Sequence, residues 1–219
     1  MNHDTALRLR GFGPIGVLAI LAIFAASVAG IAVSAVLVLA WASLSDTPLR
    51  NLGFKAPRSW IVTIAGGAIF GIVFKLVAKI IVMPLLGAPD LNASYHYLVG
   101  NADALPWIIA TVLVSAGFGE ELFFRGYLFE RLGTLLGTGK FAVAGTVLVS
   151  TVLFALAHYR DQGLPGVEQA TMTGLVFGGI YAWRRQIWFP MVAHAAFDLA
   201  AIAIIYGNWE GALARLVFR

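Results

Sequence analysis

Long apolar runs separated by short polar or turn-rich connections follow one another along this chain, a layout expected of helices that cross a lipid bilayer. The first run, Gly11 to Ser45, contains no charged residue. It far exceeds the roughly 20 residues needed to cross the hydrocarbon core, and it is also too long for the apolar part of a cleaved leader, so a retained span is expected over 14–42. Further spans are expected near 60–86, 106–122, 141–158, 166–183 and 187–206. The third should stay helical through Phe123, Tyr127 and Leu132, with Gly133 and Gly137 as stops. The expected fold is therefore all-α: one transmembrane domain, 1–219, built as a polytopic bundle of about six (six to eight) helices. Gly67 with Gly71, and Gly174 with Gly178, have the small-xxx-small spacing that lets helices approach closely in lipid. Trp209 to Arg219 alternates aromatic, aliphatic and basic residues, which suits a short helix lying at the interface.

Composition agrees with that pattern. Of 219 residues, 60% are apolar and 12% charged, and the mean hydropathy is +0.86, far from a soluble domain. The absence of cysteine excludes disulfides, thiolate metal ligands and a cysteine nucleophile. The formal charge of +4 comes from Lys and Arg placed mainly in connections and tails, where anionic lipid headgroups are the expected partners; no basic-aromatic platform for nucleic acid is present. Arg50, Lys55 and Arg58 follow the first span, whereas Gly87 to Leu105 has no Lys or Arg. The first connection is thus expected in the cytoplasm, with Arg131, Lys140, Arg184 and Arg185 on the same side. Six spans would then leave both termini outside, which conflicts with Arg8, Arg10, Arg215 and Arg219 in those tails.

Charged residues inside the spans carry the chemical signal. Each costs about 2.5–3.5 kcal/mol to insert near the bilayer centre and so calls for a partner, a wet cavity or a task. Ser115 to Leu132 reads SAGFGEELFFRGYLFERL. On a helix, Glu121 and Arg125 are four apart and can pair as a structural ion pair, whereas Glu120 points about 100° away and is left free. A free carboxylate in such a setting is suited to general-base work. Phe154 and His158 close the fourth span, and His194 and Asp198 lie four apart on one face of the last. Singly these are interface or structural residues; together, on three spans, they make a set able to activate water. Lys75 and Lys79, four apart in the second span, are expected to snorkel or to pair with a carboxylate such as Glu168.

In these residues the chain resembles the CAAX protease and bacteriocin-processing family, also called Abi, which includes the type II CAAX prenyl proteases. The family's pattern, EExxxR, FxxxH, then HxxxN or HxxxD, is matched in order by Glu120, Glu121 and Arg125, by Phe154 and His158, and by His194 and Asp198. The resemblance spans about 106–206. It implies an intramembrane endopeptidase, a glutamic or metallo-enzyme in which Glu120 is the general base, His158 helps position or activate water, and His194 with residue 198 stabilises an oxyanion or holds a metal. An ionised Asp198 cannot donate to an oxyanion as an asparagine could. It must be protonated, orient His194, or serve as an oxygen ligand. The last option favours a divalent metal such as zinc held by Glu120, His158, His194 and Asp198, although HExxH is absent. The implied partners are a peptide or protein substrate in the membrane, prenylated or a leader peptide, and the lipid bilayer itself; the implied place is the cell membrane of a prokaryote. A non-catalytic binding or immunity protein and a transporter are the alternatives, but no internal repeat supports transport. Counted from the connection at Gly133–Lys140, Glu120, His158 and His194 fall at depths of about 20, 25 and 12 Å, so they can meet only through tilt or a broken helix.

Overall fold

The computed structural model describes residues 3–218 and is helical throughout, with no strand among them. Its helices are α1 (His3–Arg10), α2 (Pro14–Ala29), α3 (Ile31–Leu44), α4 (Trp60–Leu85), α5 (Ala102–Leu136), α6 (Lys140–Arg184), α7 (Trp188–Tyr206) and α8 (Glu210–Ala214). Among the described residues α4, α5, α6 and α7 are long and apolar enough to cross a membrane, and a fifth span results if α1 and α2, bent by 59°, are taken together. Leucine, valine and isoleucine side chains on the outer faces remain exposed, as with Ile61, Val62 and Val73 on α4, the arrangement of a protein whose solvent is lipid. The chain is an integral membrane protein of the polytopic helical kind.

One expected span is two helices. The apolar run from Gly11 to Ser45 breaks at Gly30, and the Ser34 hydroxyl donates to the Ile23 carbonyl at 3.1 Å while the Trp41 indole donates to the Leu9 carbonyl at 3.1 Å. In a continuous helix those pairs would be separated by about 1.5 Å per residue. The contacts require α2 and α3 to fold back as a hairpin. Its tip, at Gly30 and Ile31, packs beside Gly119, halfway along α5. The single span expected over 14–42 is therefore corrected to a re-entrant pair, and α1 returns to the end that carries Arg50 and Lys55.

The spans expected over 141–158 and 166–183 are present as the two arms of α6. Gly163, at φ 61° and ψ −155°, interrupts the helix two residues before Pro165. Gly174 faces Thr151 and Gly178 faces Val147, positions that meet only if the arms are antiparallel. Gly67 and Gly71 lie against Val192, Ala193 and Ala196 of α7, so α4 and α7 cross closely and run parallel. Both small-residue pairs do the packing their spacing implied. The third span is longer than expected, running from 102 to 136 and stopping at Gly137 (φ 88°).

A basic end and an opposite end result. Gly126 lies against the Leu52 carbonyl and Ile187, and the Ile187 amide donates to the Gly53 carbonyl at 2.9 Å. At the opposite end the loop over 87–101 is tied to the chain's last turns. Glu210 accepts from the Asn92 amide (3.0 Å) and lies 3.4 Å from Lys79 Nζ, and Arg215 pairs with Asp90 at 3.0 Å. A carboxylate partner is present for Lys79, but it is Glu210 rather than Glu168, with the Asp90 carbonyl at 2.6 Å beside it; Lys75 instead donates to Gln169 at 2.7 Å. α8, five residues long, is the short C-terminal helix; Arg219 lies outside the described residues.

Candidate active site

The middle of α5, Val112–Tyr127, is wound as a π-helix, with the Leu128 amide donating to the Phe123 carbonyl. Such i→i+5 winding is rare and tends to coincide with functional sites. It holds the three charged residues of the third span. Glu121 and Arg125 are buried to 0% and 1% exposure, and Arg125 Nη1 donates to Glu121 Oε1 at 2.7 Å. The Arg125 guanidinium also stacks over Phe154, 4.5 Å from the ring centroid. That cation–π contact gives Phe154 of the FxxxH pattern its place.

Glu121 has a second duty that the sequence spacing did not reveal. His194 Nδ1 lies 2.7 Å from the same Glu121 Oε1. A carboxylate can only accept, so Nδ1 is the protonated nitrogen and donates. That hydrogen bond fixes the ring and turns Nε2 towards Glu120 Oε2 (3.8 Å) and Asp198 Oδ2 (3.6 Å). The group that orients His194 is therefore Glu121 rather than Asp198. His158 is held in the same way: Nδ1 donates to the Phe154 carbonyl at 2.8 Å, which leaves Nε2 as an acceptor.

Glu120, His158, His194 and Asp198 line one cavity of about 170 Å³ between α5, α6 and α7, with Tyr95 of the 87–101 loop on its wall. Glu120 Oε2 is buried there and has no hydrogen-bond partner. The depth mismatch shrinks because the basic end lies level with Gly126 and Ile187, not with Gly133. From that plane Glu120 is six residues in and His194 seven. Tyr95, outside the spans, has its phenol pushed above its ordinary range by burial and then by nearby Asp198 and Glu120, so it is a neutral donor at the cavity's edge.

Among the described residues no group of three or more His, Asp or Glu side chains is placed to hold a metal ion. His194 has Nδ1 committed to Glu121, and its Nε2 stands between two carboxylates at 3.6 and 3.8 Å. As placed, these donors do not converge on one point, although the bond from Nδ1 to Glu121 is the contact that a metal-ligating histidine also makes. Lys75 also lines the cavity and lies 4.9 Å from the Phe197 ring centroid. It is a buried cation that the sequence reading left without a place in the site.

Residues 102–200 match the family described as "Type II CAAX prenyl endopeptidase Rce1-like". That stretch contains Glu120, Glu121, Arg125, Phe154, His158, His194 and Asp198, so the resemblance carried by the motifs is borne out. YdiL of Bacillus subtilis (strain 168), provisionally named a membrane peptidase, is 25% identical over 164 residues, 75% of this chain and 64% of that protein. Envelope glycoprotein M of Suid herpesvirus 1 is 24% identical over 159 residues, 71% of this chain and 40% of that protein. The chain thus spans less than two thirds of the length of these curated relatives. No solved structure matches.

Proposed function

We propose that the chain is an intramembrane endopeptidase in which Glu120 activates water against a peptide bond of a membrane-associated substrate. The observation that carries the reading is the buried Glu120 Oε2, which has no hydrogen bond and faces a cavity shared with His158 and with His194, whose Nε2 is 3.8 Å away. Glu120 accepts a proton as the water oxygen bonds to the scissile carbonyl carbon, and His158 Nε2 accepts a hydrogen bond from the same water. The carbonyl oxygen becomes an oxyanion. His194 can donate to it from Nε2 once that nitrogen also carries a proton. Glu120 then returns its proton to the departing amine as the C–N bond breaks. The family match and the named relative support a membrane peptidase of this general class. The substrates to be tried are prenylated C-terminal peptides and leader peptides, and the site of action is the cell membrane of a prokaryote.

The test is cleavage of quenched peptides, prenylated and unprenylated, by protein purified in detergent. Glu120→Gln keeps volume and removes the base, and should lower the rate by about 10²–10⁴-fold with an unchanged melting temperature. Cleavage by the wild type should survive a chelator. A Glu120→Gln protein as active as wild type would overturn the assignment. Metal-restored activity after chelation would return the four donors to the metallo-enzyme reading.

A further inference from the structure

A second cavity, of about 370 Å³, opens at the basic end, away from Glu120. Arg10, Arg50, Lys55 and Arg185 line it from three separate segments: α1, the connection after α3, and the turn between α6 and α7. The carboxylate on its wall, Glu130, is already held by Arg131 through both Nε and Nη2. Arg10 reaches it only at 4.0 Å. Among the described residues no carboxylate pairs with Arg50, Lys55 or Arg185. Arg185 is moreover held at φ 51°, a left-handed conformation uncommon for arginine. The Tyr181 ring packs against Gly53 and closes the floor. Arg50, Lys55 and Arg185 thus share the cleft with no paired carboxylate, and Arg10 has only a distant one, so the cleft carries an excess of positive charge that an anion would neutralise.

The surroundings specify which anion. Trp183 and Phe141 are 80% and 82% exposed, and Leu135 and Leu136 are also exposed beside the same end of the bundle. Exposed tryptophan and phenylalanine next to uncovered leucine mark the headgroup level of a bilayer. A basic pocket between helix ends at that level takes a lipid phosphate, with the acyl chains lying on the apolar flank. We propose that this cavity binds the headgroup of an anionic phospholipid. The site is independent of the proteolytic reading.

The experiment measures the melting temperature of detergent-purified protein titrated with phosphatidylglycerol, with phosphatidylcholine and inorganic phosphate as separate arms. Phosphatidylglycerol should stabilise wild type in a saturable way, and the other two should not at equal concentration. The double variant Arg50→Gln/Lys55→Gln removes two exposed, unpaired side chains and should bind about tenfold more weakly. Arg58→Gln/Lys140→Gln makes the same charge change at the same end outside the cavity and should bind as wild type does. Equal loss in both variants would mean a diffuse positive surface and overturn the site. Equal stabilisation by inorganic phosphate would overturn the lipid assignment, as would equal stabilisation by phosphatidylcholine.

Discussion

At the scale of single residues, Glu121 joins structure to chemistry. Its Oε1 accepts from both Arg125 and His194 at 2.7 Å, so one oxygen neutralises a buried guanidinium and sets a ring orientation. Glu121→Leu alone should cost about 3–5 kcal/mol, because it leaves Arg125 charged in an apolar interior. The double variant Glu121→Leu/Arg125→Met should recover most of that loss in a thermal melt, yet cleavage should stay low because His194 has lost its acceptor. Recovery of both would show that Glu121 acts only through packing. The charged residues of this site were legible in the sequence because lipid makes each of them costly. The Glu121–His194 bond was not, since a helical repeat relates neighbours three or four apart and these two are 73 positions apart.

Among the elements, backbone breaks decide how many times the chain crosses. Gly163 adopts φ 61°, ψ −155°, a region open almost only to glycine. Gly163→Ala should therefore destabilise by about 1–3 kcal/mol, whereas Gly145→Ala, with nothing within 4 Å of the added carbon, should melt at or slightly above wild type. Gly71→Ala would press a methyl into the Ala193 carbonyl and Ala196. It should lower both stability and cleavage by displacing the turn of α7 that carries His194. The α6 fold-back was legible because Gly163, Pro165 and nearby charges punctuate it. The Gly30 break was not: the run is uniformly apolar on both sides, and both a long tilted span and a tight hairpin would satisfy that pattern.

For the whole molecule, the re-entrant hairpin removes the N-terminal part of the conflict in the charge distribution, while Arg215 stays at the opposite end, paired with Asp90. Arg8 and Arg10 now share an end with Arg50, Lys55, Arg58, Arg131, Lys140, Arg184 and Arg185, which the positive-inside bias places in the cytoplasm. Both the C-terminal turns and the loop beside Tyr95 then face outward. Because the chain has no cysteine, single cysteines report this directly. In intact cells a membrane-impermeant maleimide should label Ala102→Cys and should reach Thr138→Cys only after permeabilisation. The reverse pattern would invert the molecule.

The tether at the outward end has a practical corollary for anyone handling this protein. Glu210 and Arg215 hold the 87–101 loop beside the cavity, so a purification handle fused after Arg219 would hang from the strap that positions that loop. A handle ahead of His3 would hang at the far face. The two fusions should fold alike but differ in turnover, and the N-terminal one is the reagent to trust when substrates are screened.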